Sequence, residues 1–204
     1  MDSIPSPYQQ VVKGALMTGR VEMPEEVHEL IGKAGAFRGS SSEGNPFTVV
    51  SPIGTVIQTA TPTFKWHPLS GAVSYIVSIY DSNYNKVATS RELKTTQWAV
   101  GGPLEPDRVY SWQVAATREG EEITTPASPA PEAKFKVLDQ TRANELKRLR
   151  QKYPNSHLLL GILYKQSGLL DDAERELILL AARNPKSKVA QKLLREAQAA
   201  RPKA

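Results

Sequence analysis

The stretch T-P-T-F-K-W-H-P-L-S-G-A-V-S-Y-I-V-S-I-Y-D (61–81) decides the fold of this chain, because large apolar side chains alternate with polar ones along it. A β-strand points successive side chains to opposite faces of its sheet. The stretch contains two such runs, one at 62–67 and one at 73–81. Each predicts a strand that buries one face and turns residues such as Lys65 and Ser78 outward. The apolar positions are Phe64, Trp66, Tyr75, Val77 and Ile79.

The same alternation returns in L-E-P-D-R-V-Y-S-W-Q-V-A (104–115), in which Tyr110, Trp112 and Val114 share one face. Upstream, F-T-V-V-S-P-I-G-T-V-I (47–57) has a strand-like composition that a proline and a glycine interrupt, which is typical of an edge strand or a bulge. Many short strands with Gly, Pro and Asn between them predict an antiparallel sandwich. The later strands are predicted at 62–67, 73–81, 85–89, 97–100, 108–117, 122–125 and 133–138.

Two of these stretches resemble fibronectin type III domains. The run T-F-K-W-H-P-L-S-G-A-V-S-Y-I-V-S-I-Y is similar to their second and third strands, with Trp66 at the position of the core tryptophan. Leu104, Pro106 and Tyr110 resemble the L-x-P-x-x-x-Y motif that precedes and begins the sixth strand. The resemblance implies an all-β sandwich of the fibronectin type III or immunoglobulin-like class. It also implies a tyrosine corner, in which a buried ring bonds through its hydroxyl to backbone a few residues upstream.

The aromatic residues of the sandwich have two alternative uses. Tryptophan and tyrosine on a β-face can stack on sugars or on single-stranded bases, or they can fill the core. The inside-outside alternation favours the core for Trp66, Tyr75, Tyr110 and Trp112. The less constrained residues, and hence the candidates for exposed contacts, are Trp98, Tyr80 and Tyr84.

The segment P-N-S-H-L-L-L-G-I-L-Y-K-Q-S-G-L-L-D-D-A-E-R-E-L-I-L-L-A-A-R-N-P (154–185) resembles a single tetratricopeptide repeat (TPR), a pair of antiparallel helices. A preceding helix is predicted from Asp139, which can cap it, to Tyr153. A shift by the 34-residue family period does not recover the consensus, so 187–200 is interpreted as a capping helix. The consensus positions are Leu160, Gly161, Tyr164, Gly168, Ala173, Leu177 and Pro185.

The resemblance to tetratricopeptide repeats also implies a groove for a peptide or protein partner. In that family, one face of the first helix lines a concave surface. The alternative is that this face packs on the preceding helix. The corresponding candidate partner-binding residues in this chain are Asn155, Leu158, Ile162, Lys165 and Gln166.

The segment before the sandwich predicts two short amphipathic helices. One follows Pro7 and ends at Gly19, and the other starts at Pro24 and stops at Gly32, ahead of a polar loop over 39–45. Helices this short are unstable alone, so we expect them to pack on the sandwich. The chain thus divides into a helical preamble with a loop (1–46), a fibronectin type III-like sandwich (47–138) and an all-α TPR-like segment (139–204).

The composition of the chain limits its possible chemistry, its expected location in the cell and the expected charge of its partner. The chain has 204 residues and no cysteine, which excludes disulfides and thiol chemistry. It shows neither a membrane-length apolar run nor a secretion signal, so it is expected to be cytoplasmic, or periplasmic or envelope-associated if it belongs to a longer anchored protein. Residues 1–140 carry a net charge of −3, and residues 141–204 carry +8. This asymmetry fits an anionic partner, a solvated helix surface or attraction between the halves.

No pattern of catalytic or metal-binding residues is present in the sequence. His28, His67 and His157 fall in different predicted elements and form no H-x-x-x-H or H-E-x-x-H pair. Phosphate-binding glycine loops and the G-x-S-x-G nucleophile elbow are also missing. We therefore expect no catalytic residues, no metal and no cofactor.

These features predict a non-enzymatic adaptor that binds another protein or peptide. The order of modules is similar to that of bacterial proteins of regulatory or envelope character. The alternative is a polymer-binding module, with polysaccharide held by the sandwich aromatics or nucleic acid by the basic helical tail; nucleic acid is the less favoured ligand. A homodimer through the helical segment is a further expectation, because a lone repeat leaves two apolar faces to cover.

Overall fold

The computed structural model of this chain describes residues 4–31, 47–127, 130 and 132–201. These residues form two compact units. The helical unit takes residues 4–28 together with 138–201, and the sandwich unit lies within residues 29–137. The predicted polar loop over 39–45 and the predicted helix stop at Gly32 lie outside the described residues.

The sandwich unit contains nine described strands in two sheets. One sheet has three strands in the order β1-β3-β6. The other sheet has six strands. Five of them follow the order β2-β9-β7-β4-β5, and the sixth, β8, pairs with β7. The strands are β1 (Val49–Ser51), β2 (Thr55–Ile57), β3 (Thr63–Trp66), β4 (Ser74–Asp81), β5 (Lys86–Thr89), β6 (Gln97–Ala99), β7 (Val109–Arg118), β8 (Glu121–Thr125) and β9 (Ala133–Val137).

The first predicted strand is two strands that lie in different sheets. β1 pairs antiparallel with β3, whereas β2 pairs parallel with β9, so the six-stranded sheet is mixed. This corrects the expectation of a purely antiparallel sandwich. Pro52 and Gly54 account for the switch, because proline lacks a ladder N–H and Gly54 adopts a φ of 56° between the two short strands.

The last two strands share one edge of β7. β4 pairs along the whole of one edge, from Ser74 opposite Thr117 to Asp81 opposite Tyr110. On the other edge, β9 pairs with the first half of β7 and β8 with the second half. Pro126 follows β8 directly and cannot donate to the ladder, so β8 ends at Thr125.

The core lies between the two sheets, which makes this unit a β-sandwich. The ring of Phe64 in β3 meets that of Trp112 in β7 at 4.9 Å and that of Phe135 in β9 at 5.6 Å between centroids. The predicted core residues are all buried, because alternate side chains of each strand point to the same face. They include Phe64, Trp66, Tyr75, Val77, Ile79, Tyr110, Trp112 and Val114.

The predicted tyrosine corner is present. The Tyr110 hydroxyl accepts a hydrogen bond from the Glu105 backbone N–H at 3.0 Å and lies 3.3 Å from the Glu105 carbonyl oxygen, to which it donates. Leu104, just before this turn, is buried. The pair of bonds ties the start of β7 to the loop before it.

Two helices of the helical unit begin at side-chain caps, and the cap at Asp139 was predicted. Asp139 accepts from the Arg142 N–H at 2.9 Å, and Ser187 accepts from the Ala190 N–H at 3.2 Å, so side chains satisfy N–H groups that helix starts leave free. No described helix has the length and apolarity to span a membrane. The helices are α1 (Gln9–Thr18), α2 (Glu25–Ile31, whose last residues fall with the sandwich unit), α3 (Gln140–Lys152), α4 (His157–Gln166), α5 (Leu170–Arg183) and α6 (Lys188–Ala199).

The N-terminal helix, α1, belongs to the helical unit. The expectation was that this helix packs on the sandwich; within its own unit it packs on α4. Short amphipathic helices need some apolar surface to cover, but their sequence does not say which one.

Candidate protein-binding site

α4 is the central helix of the helical unit. α5 packs on one side of it, where Gly161 allows close approach: a Cβ there would lie 2.9 Å from the side chain of Leu177. α3 packs on another side, where Arg142 donates to the Ser167 hydroxyl at 2.9 Å. As a result, every residue from Leu159 to Lys165 is buried.

The five predicted groove residues have different environments. Ile162 and Lys165 are buried, with 0% and 3% of their surfaces exposed. Leu158 and Gln166 are half-buried, and Asn155 is exposed. The face is therefore covered along its middle and accessible at its ends.

The contacts of α1 lie within the helical unit. Its two buried residues, Val12 and Ala15, have 1% and 3% of their surfaces exposed, and α1 packs on α4. Its C-terminal end reaches α6, where the Lys192 ammonium donates to the Thr18 carbonyl oxygen at 2.7 Å. At its N-terminal end, the Tyr8 hydroxyl donates to the Glu145 carboxylate of α3.

Burial and these contacts change the ionisation of the groups around α1. Burial lowers the pKa of Lys165, and Glu196 of α6 acts in the opposite direction. The hydrogen bond from Tyr8 lowers the pKa of Glu145. Burial, followed by the hydrogen bond to Glu145, raises the pKa of Tyr8. At neutral pH the covered face thus combines apolar surface with a partly desolvated cation and, at its edge, a carboxylate.

A buried carboxylate holds three helices of this unit together. Glu176 of α5 lies with one carboxylate oxygen 2.7 Å from Nδ1 of His157 and with the other 2.6 Å from Nη1 of Arg150. Hydrogen bonds to Tyr164 and Glu176 raise the pKa of Arg150. Since these partners come from α3 and α4, the cluster fixes the order of the helices. Nε2 of His157 is buried with no hydrogen-bond partner among the described residues.

The other two histidines are exposed, and among the described residues no three His, Cys, Asp or Glu side chains group as metal ligands would. Asp171 and Asp172 lie in the first turn of α5, where carboxylates stabilise the positive end of the helix dipole. The structure therefore assigns the described acidic residues of α5 to helix stability and helix packing.

The three candidate aromatics for exposed contacts do not converge. Trp98 lies in the three-stranded sheet and stacks on Phe64, with ring centroids 5.7 Å apart. Tyr80 lies in the six-stranded sheet, half-buried, and its hydroxyl accepts from Gln113 at 3.0 Å. Tyr84, in the turn after β4, is 67% exposed. The three rings therefore do not form one stacking platform.

Sequence reasoning missed the role of Glu176. The residue sits between Ala173 and Leu177 on the face of α5 that the repeat pattern buries, and this spacing was the available signal. It also missed that α1 covers α4. No local signal could have shown this, because all nine described strands of the sandwich unit lie between α1 and α4 in the sequence.

The described residues define the class of the chain, a β-sandwich combined with a separate helical unit. No protein-family model matches the chain, and no curated protein matches it.

Two solved structures show a limited likeness. The fn3 domain of the human collagen alpha-1(XX) chain is 19% identical with a TM-score of 0.33, over 50% of this chain and 94% of that domain. A β-glucuronidase of Parabacteroides merdae is 10% identical with a TM-score of 0.27, over 69% of this chain and 27% of that enzyme.

Proposed function

We propose that this chain is a non-enzymatic protein-interaction protein, in which a fibronectin type III-like sandwich accompanies a TPR-like helical unit that binds a protein or peptide partner. Its role is that of an adaptor in a bacterial regulatory or envelope setting. The recognition surface lies on the helical unit, at the face of α4 that carries Leu158, Ile162 and Lys165.

The fibronectin type III-like part of the proposal is supported by the sandwich itself. The two hydrogen bonds between Tyr110 and Glu105 have the form that a tyrosine corner requires. Trp66 occupies the core, as the resemblance implies.

The TPR-like part is supported by the packing of α4 on α5. Gly161 and Ala173 are small where the two helices approach, and Ala173 is fully buried. Gly168 adopts a φ of 73° in the turn between them, a conformation that favours glycine. α6 adds a third helix, burying Leu193 and keeping Gln191 and Arg195 on its exposed side, as a capping helix does.

One observation carries the choice of the helical unit as the binding surface. α1, a helix from a distant part of the chain, packs on α4 and is tied to α3 by Tyr8 and to α6 by the backbone of Thr18. A surface that holds one amphipathic helix in this way has the shape and polar groups to hold another.

The test is photo-crosslinking of the full chain in its native host. A crosslinking amino acid placed at Asn155, the exposed end of the predicted groove, should trap one or a few defined proteins. The matched control is Val73 in the sandwich, which is 64% exposed. An identical set of trapped proteins from both positions, or none from Asn155, would refute the proposal.

A second candidate is an anionic polymer held by α3. Lys147, Arg148 and Lys152 are exposed on this one helix. Phosphate contacts release counterions, so binding of single- or double-stranded DNA would weaken steeply between about 50 and 200 mM salt. A K147E/R148E variant that binds such DNA as the unmodified chain does would exclude this candidate.

A further inference from the structure

We propose that α1 is an exchangeable ligand of the helical unit. The face formed by α3, α4 and α6 holds one amphipathic helix at a time, either α1 or a helix of like chemistry from a partner protein. This inference rests on the proposed function and adds the kind of partner and its regulation.

The polar contacts of α1 define what an incoming helix must offer. Glu145 accepts a hydroxyl hydrogen at the N-terminal end. Lys192 binds the Thr18 carbonyl at the C-terminal end, and Glu196 lies 3.7 Å from the guanidinium of Arg20 just beyond it. A partner helix therefore needs a hydroxyl before its first turn and a cation after its last.

The apolar contacts restrict the size of the side chains that enter. Val12 and Ala15 are three residues apart and hence share one side of α1, where both are small enough to bury fully. The helix ends at Gly19, whose φ is 65°. Glycine adopts this left-handed conformation without strain, and a Cβ there would also lie 2.5 Å from the Lys192 side chain, so a helix that ends in glycine fits best.

α1 binds this face weakly by its own chemistry. It has 10 residues, no side-chain hydrogen bond at its N-cap and no acidic residue in its first turn. Gly14 lies in its middle, and glycine lowers helix stability there. Leu16 and Met17 are 42% and 77% exposed, so much of its apolar surface gains nothing from packing. Elements with so few buried contacts open locally before the rest of a fold.

One of the contacts of α1 does not depend on its side-chain identity. Lys192 donates to a backbone carbonyl, and the carbonyls of the last turn of any helix are free to accept. At the position of Gly19, the Lys192 side chain lies where a Cβ would be, so an incoming helix also needs glycine there. A second helix that ends in glycine can therefore replace α1 without loss of these interactions, and it gains wherever its own helix is more stable.

The exchange has a regulatory consequence. While α1 occupies the face, a partner helix binds only to the fraction of molecules in which α1 has left. Any change that stabilises α1 lowers the apparent affinity for the partner, and any change that displaces α1 raises it.

The test uses a fluorescent peptide of residues 4–20, titrated into the full chain and its variants. In the V12D/A15D double variant, two carboxylates replace the buried contacts of α1 and displace it. We expect this variant to bind the peptide at least about tenfold more tightly than the unmodified chain. Met17→Asp is the matched control, because the same charge is placed on the exposed side of α1, and it should bind as the unmodified chain does.

Gly14→Ala provides the opposite change. An added Cβ meets no atom within 4 Å, so the substitution stabilises α1 without a clash. The higher helix propensity of alanine should weaken peptide binding about two- to fivefold. Gly14→Pro, which breaks α1 without an added charge, is the second displacing variant and should strengthen binding as the double variant does.

Three outcomes would overturn the exchange. Neither displacing variant binds the peptide more tightly than the unmodified chain; an Ala15→Asp peptide binds as well as the natural one; or the unmodified chain forms dimers that the peptide dissolves, which makes the occupant a second copy's α1. Circular dichroism, which measures total helix content, should show that the displacing variants lose no more helix than the 10 residues of α1. Crosslinking at Asn155 that finds no partner would refute the proposed function, whereas the peptide titration decides separately whether α1 can be displaced from its face.

Discussion

Trp112 donates its indole N–H to the backbone carbonyl oxygen of Pro52 at 2.7 Å, across sixty residues of sequence. Trp112 lies in the middle of β7, and Pro52 lies where the chain leaves one sheet for the other. Both residues are buried, so the bond satisfies two polar groups that water cannot reach. This single contact ties the sheet switch to the core.

Trp112→Phe should therefore destabilise the chain. The phenyl ring leaves the Pro52 carbonyl without its donor and leaves part of the indole volume empty, which together cost about 2–4 kcal/mol of unfolding free energy. Urea unfolding followed by far-ultraviolet circular dichroism measures the change. Trp98→Phe is the control, because Trp98 is half-buried at the sandwich edge and should cost less than about half as much; equal losses would contradict the role of the bond.

Tyr110→Phe should destabilise the sandwich by about 1–2 kcal/mol at neutral pH, because both hydrogen bonds to Glu105 are lost. Burial raises the pKa of Tyr110 above its ordinary value of 10.0. Above that pH the unfolded state loses the tyrosine proton before the folded state does, so the stability that this hydroxyl supplies declines.

The advantage of the unmodified chain over Tyr110→Phe should accordingly be constant below about pH 9 and shrink as the pH rises through 10. Urea unfolding of both proteins across this range measures it. Tyr84→Phe serves as the comparison, since Tyr84 is exposed and its removal should change stability by less than about 0.5 kcal/mol. If the difference in unfolding free energy between the unmodified chain and Tyr110→Phe grows with pH, the assigned role of the Tyr110 hydroxyl is wrong.

The two glycines within helices should respond in opposite directions to alanine. At Gly161 the new Cβ would lie 2.9 Å from Leu177, which is fully buried, so crowding of about 1–3 kcal/mol outweighs the gain in helix propensity. At Gly14 the space is open, and stability should rise or stay unchanged. Thermal unfolding at 222 nm measures both, and a stabilised G161A variant would show that α4 and α5 do not approach as described.

Glu176→Gln should loosen the contact between α3, α4 and α5. The amide keeps the shape of the side chain but removes the charge that faces His157 and Arg150, at a cost of about 1–3 kcal/mol. The matched control on the same helix is Glu174→Gln, whose partner Arg201 is far more exposed than His157 and which should cost less than about 1 kcal/mol. Chemical denaturation measures the loss of unfolding free energy in both variants. Equal losses would rule out a special role for the buried carboxylate of Glu176.

The strands of the sandwich could be predicted because each carries its own signal. Tyr110, Trp112 and Val114 alternate with half-buried neighbours, and this period of two requires no distant information. The pairing of β2 with β9 could not be predicted in the same way. The three residues of β2 contain no pattern that distinguishes a parallel from an antiparallel neighbour. Pro52 predicts an interruption of the strand, but it does not predict which sheet the chain joins afterwards.

The sequence indicated which residues form the candidate site, but it did not indicate how deeply each of them is buried. The resemblance to a tetratricopeptide repeat put Ile162 and Lys165 on the candidate face of the first repeat helix, and it left open whether that face is a groove or packs on another helix. α1, which packs on α4, comes from more than a hundred residues away in the sequence. No local pattern in Val12 and Ala15 distinguishes a helix that covers the sandwich from one that covers α4.

By itself, the sequence determined the elements: which runs are strands or helices, which of their faces are apolar, and where caps and turns end them. These properties are local, since they follow from the periods of side-chain direction and from the backbone limits of proline and glycine. The tertiary structure alone decided that β1 and β2 join different sheets, that Glu176 is buried against His157 and Arg150, and that α1 covers α4. These contacts join residues far apart in the chain, and they form because each buries surface or satisfies polar groups that only the folded chain brings together.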